Sequence, residues 1–251
     1  MKHLGCRMGV FYNGIFWQEY GIREIGYPYE LIYIYRYKGI EQLQKYDVLL
    51  IPKGVNQEFL YKISNDILTF MKHGGIVISF GEVNKNWFSE ASWEPAIKGQ
   101  QVRIIVRNHP IFMGLSDEDL NSFSKAVHGY FDRIPSGATS LATSQTSPDQ
   151  ILIFQDDYSY AGVILMMTLD PDYHAYEEKD AAKKFLANII HWAQETSLKT
   201  RAKLAEMPNR PTGYETFTRD VRRVFDIRGI AIEIIAGIIL AVVLYLVFGI
   251  K

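Results

Sequence analysis

Apolar residues in the first eighty positions come in short continuous runs rather than in alternation with polar ones. Arg7–Asn13 (RMGVFYN), Leu31–Tyr35 (LIYIY), Asp47–Pro52 (DVLLIP) and Gly75–Phe80 (GIVISF) each predict a β-strand, the first closed by the turn signal Asn13-Gly14. Between them the spacing changes. Phe59, Ile63, Ile67 and Phe70 recur at helical intervals over Phe59–His73, Gly74-Gly75 ends that stretch, and Ile40 and Leu43 carry a weaker helical spacing. A strand that is apolar at every position is buried on both faces, so such strands separated by helices predict a parallel sheet covered on both sides.

Beyond residue 100 the pattern loosens. Val102–Val106 (VRIIV) predicts a strand, His109–Gly114 a turn and Asp117–Ser124 a short helix or loop, while Gly129–Arg133 leads into the breakers Pro135-Ser136-Gly137. The Ser/Thr-rich stretch Thr139–Gln150 reads as an exposed loop or hairpin connection. Ile151–Gln155 and Ala161–Leu169 predict strands joined by the polar turn DDYSY, and Asp180–Gln194 predicts an amphipathic helix with Ala182, Phe185, Leu186, Ile189, Ile190 and Ala193 on one side.

The last long apolar run is of another kind. Gly229–Ile250 (GIAIEIIAGIILAVVLYLVFGI) is apolar on every helical face, with Glu233 its only ionisable residue. As a helix it is about 33 Å long, against a bilayer hydrocarbon core of about 30 Å, which predicts a transmembrane span. Between Lys199 and Arg228 eight basic residues face four acidic ones, a net charge of +4, and only Lys251 follows the span. Basic flanks stay on the cytoplasmic side, and the opening MKHLGCRMGVFYN has no leader pattern. The expectation is a single-pass, tail-anchored protein of the cytoplasmic membrane, with its soluble domain in the cytoplasm and its C-terminus on the far side. The predicted parts are an α/β domain over 1–198, a basic juxtamembrane neck over 199–228 and the span over 229–250.

Two features of the tail bear on partners. Tyr214–Arg228 places Phe217, Val221, Val224 and Phe225 near one helical face, with Arg219, Arg222 and Arg223 around the other and Arg228 at its end. Either this helix lies on anionic lipid headgroups, each basic residue adding about 1 kcal/mol, or it is a solvated stop-transfer flank. Within the span, Gly229, Glu233, Gly237 and Ala241 recur every four residues on one stripe. Small residues on a stripe let helices approach, which predicts self-association; alternatively Glu233 snorkels to the headgroups.

Charge and cysteine count narrow the classes further. The whole chain carries −1, so residues 1–198 carry −5, and an acidic head on a basic neck excludes the basic folded face of a nucleic-acid binder. A lone cysteine, Cys6, cannot form an intramolecular disulfide and suits a reducing compartment. About two hundred residues suffice for one well-buried domain.

HPIFMGL, then HGYF followed by PSGATSLATS, then GVILMMTLDPDYH and a helix ending in IIHWA resemble the class I glutamine amidotransferase-like superfamily, in particular its trehalose-utilisation (ThuA-like) and membrane-associated branches. The resemblance covers roughly Arg7 to Ala193. It implies a flavodoxin-like, three-layer α/β sandwich with a mostly parallel sheet. It also implies where chemistry would sit. Active members carry a cysteine on a tight strand-to-helix elbow and a His-Pro-Glu element after a late strand. Here the elbow position reads Ser79-Phe80-Gly81-Glu82 and the later element Asp170-Pro171-Asp172, so neither thiolate nor histidine stands in place. Without an activated nucleophile, acyl transfer from glutamine has no mechanism. No cofactor and no metal is expected.

Two surfaces remain as candidates. Glu82, Asp170, Asp172 and His174 would meet at the C-terminal edge of the sheet, where open α/β folds bind ligands; they form either an acid/base or hard-metal cluster, or simply a turn and helix cap with solvated neighbours. His109 and His128 occupy family-like positions beside turns. Aromatic residues crowd the first forty positions beyond what a core needs: either they are strand tyrosines with wet tips, such as Tyr33 and Tyr35, or Phe16, Trp17 and Tyr20 after the first strand make a partner-binding face, with Trp87, Phe88 and Trp93 lining the same edge. The leading expectation is a membrane-anchored, non-catalytic binding or effector module that recruits a ligand or protein partner and can oligomerise or perturb the bilayer, as in prokaryotic defence systems. Alternatives are a hydrolase of a small polar or carbohydrate substrate using the acidic/histidine cluster, and a scaffold subunit of a transporter complex.

Overall fold

A computed structural model describes residues 6–123 and 127–206, with the side chains of 97–100 left aside. In chain order it runs β1 (Met8–Tyr12), α1 (Trp17–Glu24), β2 (Glu30–Tyr33), a 3-10 turn (Ile34–Arg36), α2 (Ile40–Leu43), β3 (Val48–Ile51), α3 (Gln57–Lys62), α4 (Ser64–Lys72) and β4 (Ile76–Ser79). The second half follows with β5 (Ser92–Gln100), β6 (Val102–Ile104), a 3-10 turn (Pro110–Phe112), α5 (Asp117–Phe123), β7 (Val127–Arg133), β8 (Thr139–Ser144), β9 (Ile151–Asp156), β10 (Val163–Met167), α6 (Pro171–Tyr176) and α7 (Asp180–Ala205).

Among the described residues the strands form one mixed ten-stranded sheet in the order β2-β1-β3-β4-β10-β9-β7-β5, with β8 on β9 and β6 on β8. β2, β1, β3, β4 and β10 are parallel; everything beyond β10 is antiparallel. The parallel part has the flavodoxin-like order, with its switch point between β1 and β3. Its strands alternate strictly between two cores. Val48 and Leu50, Ile76 and Ile78, Val163 and Leu165 join the layer of α1, α5, α6 and α7, whereas Leu49 and Ile51, Val77, Ile164 and Met166 join the layer of α2, α3 and α4. That alternation is why β3 and β10 are apolar at every position and β4 at all but Ser79: each side chain has a helical layer to meet.

Several elements depart from the pattern. The helix expected over Phe59–His73 is two, α3 capped by the Asn56 carboxamide oxygen, which accepts from Phe59 N at 3.0 Å, and α4 starting after Ile63, which leaves helical geometry at φ −102° and ψ 12°. Thr139–Ser144 is a strand and not an exposed loop, with Leu141, Ala142, Thr143 and Ser144 buried between β6 and β9. β5 and α1 carry no clear periodicity in sequence. The closing helix does not stop at Gln194 but continues as α7 to Ala205, so the boundary drawn after residue 198 falls inside a helix. Its last turns bury Ser197 and Thr200, and Arg201 of the basic flank pairs with Asp47, which also accepts Arg7 N at 2.7 Å.

No helix among the described residues is long and apolar enough to cross a membrane. The rest of the neck, including Arg219, Arg222, Arg223 and Arg228, and the span with Gly229, Glu233, Gly237 and Ala241 lie outside the described residues.

One close approach tests the packing between α4 and β10. Gly162 N donates to Met71 O at 2.8 Å, and a Cβ at Gly162 would lie 2.0 Å from Gly75 O and 2.8 Å from Met71 O. Backbone cannot step aside as a side chain can. Gly162→Ala is therefore expected to lower stability by about 1–3 kcal/mol, read as a shift in the denaturation midpoint of the α/β domain.

Candidate functional site

The parallel strands end together, with Ile51 opposite Ser79 and Met166 opposite Ser79 on its other side, so the segments after β1, β3, β4 and β10 crowd one edge. At the switch point the Gln18 side chain fills the gap between β1 and β3: its oxygen accepts Asn13 N at 3.3 Å and its nitrogen donates to Lys53 O at 3.0 Å. Asn13 Nδ2 donates to Gly54 O at 3.2 Å, completing a polar seam.

Lys53 is the centre of the edge. Its backbone N donates to Asp172 Oδ2 at 2.9 Å, its ammonium pairs with Asp170 Oδ2, and Nζ sits 4.7 Å from the centre of the Tyr173 ring. The stem runs beside Gly81, where a Cβ would be 3.2 Å from Lys53 Cγ and where φ is +80°, so glycine suits this place on both counts. His174 reaches Asp170 Oδ1 with Nε2 at 3.3 Å and Glu177 Oε2 with Nδ1 at 2.8 Å.

The two aspartates at the head of α6 titrate in opposite directions. Burial works against the charge on Asp170, but the His174 hydrogen bond and the Lys53 ammonium outweigh it and hold the carboxyl below its ordinary range. Asp172 has no exposed surface; burial and then the charge of Asp170 push it up to about 7, against the amide of Lys53. Its Oδ1 has no hydrogen-bond partner among the described residues. Burial would lower the pKa of His174 and of Lys53, but Asp170 reverses both, assisted by Glu177 at the histidine and by Glu82 at the lysine. The result is a compact set of charges that neutralise one another.

The structure thus brings Asp170, Asp172 and His174 together, and Glu82 into electrostatic range through Lys53. The lysine is the member that sequence reasoning missed: a single cation after DVLLIP has no local partner, and its carboxylates lie about 120 positions away, at separations of 117 and 119. No three His, Cys, Asp or Glu side chains among the described residues converge as a metal-binding group, and the cation beside Asp170 is Lys53. Such a set can hold and exchange a proton near neutrality through Asp172, and offers no thiolate. Cys6 is buried before β1, where burial raises its thiol pKa. Ser79 is buried and Phe80 is 2% exposed; a loop rather than a helix follows β4, so the strand-to-helix elbow is not formed here.

The aromatic candidates separate into two groups. Phe16, Trp17 and Tyr20 join Tyr173 and Tyr176 of α6: Phe16 lies 5.5 Å from Tyr20 and 5.7 Å from Tyr176, Tyr20 5.4 Å from Tyr176, and Trp17 5.8 Å from Tyr173, all between ring centres. Phe16 stays 55% exposed. Trp87 and Phe88, by contrast, are core residues, 2% and 1% exposed, and Trp93 is half-buried against Gly129 on β7, so these three do not extend the exposed patch. His109 bonds Gln155 at 2.9 Å between α7 and the sheet, with burial lowering its pKa, and His128 is exposed on β7.

No family model and no curated protein matches the chain. Solved structures match its fold. A candidate GMP synthase component from Thermoplasma acidophilum superposes over 81% of this chain and 100% of its own with TM-score 0.56 and 17% identity. A ThuA-like protein from Bacteroides uniformis covers 75% of this chain and 91% of its own (TM-score 0.53, 12% identity), and a cytoplasmic protein from Salmonella typhimurium 74% and 98% (TM-score 0.53, 12% identity). The shared feature is the α/β architecture.

The protonation of α6 is measurable. A buried carboxyl whose pKa is raised on folding favours the folded state while protonated, so its contribution falls as pH rises from about 4 to about 7; the raised His174 contribution is complete below about 6.5 and is lost above it. Stability in denaturant is expected to drop on the order of 2 kcal/mol between pH 5 and pH 8, and Asp172→Asn to flatten most of that slope.

Proposed function

We propose that this chain is a binding module held at the cytoplasmic face of a membrane, docking a protein partner through the aromatic patch of α1 and α6 rather than turning over a substrate. The observation that carries the reading is the patch itself: Phe16, Tyr20 and Tyr176 form one interlocked set of rings with Phe16 more than half exposed, at the edge where α/β folds engage ligands. Two features support it. The elbow position holds buried Phe80 instead of a nucleophile, and the charge of Asp170 is paired internally with Lys53. The apolar run 229–250 would supply the tether, the arginines of the neck its contact with anionic headgroups, and the stripe of Gly229, Glu233, Gly237 and Ala241 a means of assembly that could pass a binding event to the bilayer.

The hydrolase reading keeps one specific observation in its favour: on α6, burial pushes Asp172 up to about 7, two positions from His174, whose pKa Asp170 raises.

Full-length protein in nonionic detergent separates the two. A partner identified by mass spectrometry in the wild-type preparation is expected to bind at least tenfold more weakly to Phe16→Ala/Tyr176→Ala, with the melting temperature unchanged. Retention of the partner by that variant, together with hydrolysis of chromogenic esters or glycosides that His174→Ala abolishes, would overturn the binding reading in favour of the enzyme.

A further inference from the structure

At the far edge of the sheet from the antiparallel strands, β2 borders a cleft of about 390 Å³ lined by Leu31, Tyr33, Arg36, Lys38, Glu41, Gln42 and Lys45. That volume is within the range of small-molecule sites. Its lining carries three cations and one carboxylate. Among the described residues none of Arg36, Lys38 and Lys45 makes an ion pair, although Lys53, Lys85, Lys183 and Arg201 elsewhere on the domain all do. Nearby acids are engaged otherwise: Glu30 accepts Tyr46 Oη at 3.0 Å and Asp66 accepts Tyr37 Oη at 2.8 Å. The cleft is left with an excess of two positive charges in a domain whose residues 1–198 carry −5.

Its walls are held in place before any ligand arrives. Leu31 and Tyr33 sit on β2 in register with Val10 and Tyr12 of β1, and the Tyr33 ring packs edge-on to Tyr12 at 5.5 Å. The Arg36 guanidinium lies 5.9 Å from the Tyr33 ring centre, which holds a long side chain over one wall. Opposite, the Gln42 side chain accepts Lys38 N at 3.1 Å and Gln42 N donates to Gly39 O at 3.0 Å, a turn that Gly39 makes possible at φ +110°. A cation held over a preformed cleft, as Arg36 is, needs less ordering to bind than one on free surface, and Glu41 is the one carboxylate that the lining sets against three cations.

We propose that this cleft is a binding site for phosphate-bearing small anions, held by Arg36, Lys38 and Lys45. Arg36 supplies the planar fork that matches phosphate oxygens, the two lysines supply point charges, and Glu41 opposes binding and so limits affinity for anions of low charge. The site lies on the opposite side of the parallel strands from β10, and it does not depend on the aromatic patch.

Calorimetric titration of full-length protein in nonionic detergent with inorganic pyrophosphate tests it. Saturable one-to-one binding is expected, weakening about tenfold or more in Arg36→Ala/Lys45→Ala, tightening in Glu41→Gln and unchanged in Lys72→Ala, which removes an exposed cation on α4. All these side chains are on the surface, so the melting temperature should hold. A parallel titration with dihexanoylphosphatidic acid distinguishes the source: tighter binding than pyrophosphate points to a lipid headgroup, equal or weaker binding to a soluble phosphate compound. Absence of saturable heat, or equal loss of affinity in Lys72→Ala, overturns the proposal.

Discussion

The working edge of this domain depends on Lys53. One residue ties the end of β3 to the head of α6 twice, through its amide to Asp172 and through its ammonium to Asp170, and the Tyr173 ring lies beneath the same ammonium. Parallel strands bring the beginnings of distant connections to one line, and a cation placed there settles which of the gathered carboxyls stays charged. Asp170 touches it and ionises readily. Asp172, two positions on and wholly buried, faces the charge of Asp170 and holds its proton to about 7. Two identical side chains within one turn thus serve different purposes because desolvation and a neighbouring charge act on them in different proportions.

That internal neutralisation shapes what the domain presents outward. Charge at the C-terminal edge is spent on holding β3, β10 and α6 together, while the aromatic rings of α1 and α6 close over one side of the same edge and leave Phe16 in solvent. At the sheet margin the balance is reversed: Arg36 beside β2 rests on the Tyr33 ring, and neither it nor Lys38 and Lys45 makes an ion pair among the described residues. The two surfaces differ because the first is built from long-range contacts between elements and the second from one local segment, residues 31–45.

Legibility along the chain followed the number of layers that cover each element. β1, β3, β4 and β10 stand out because both faces meet helices, which demands apolar residues at nearly every position. The helix run Phe59–Phe70 is equally visible, though its interruption at Ile63 is a backbone event without a breaker residue. Thr139–Ser144 hides because its threonines and serines are read as solvent-seeking, whereas pairing with β6 and β9 gives the backbone its partners and buries Thr143 and Ser144. The extension of α7 past Gln194 is supported by Asp47 meeting Arg201 and by Leu204 and Thr200 packing at Gly74, contacts from more than a hundred positions away.

From the sequence alone come the alternating α/β layout, the buried strands and the carboxylates that follow β10, since each rests on residue type and local spacing. Tertiary structure decided the antiparallel half of the sheet, the burial of Trp87 and Phe88, the exposure of Phe16 and the place of Lys53. These depend on which segments meet across the sheet, and no periodicity within a segment records its partner. Hydrophobic patterning names the faces that must be covered; only the assembled fold says by what, and which charges are left to answer one another.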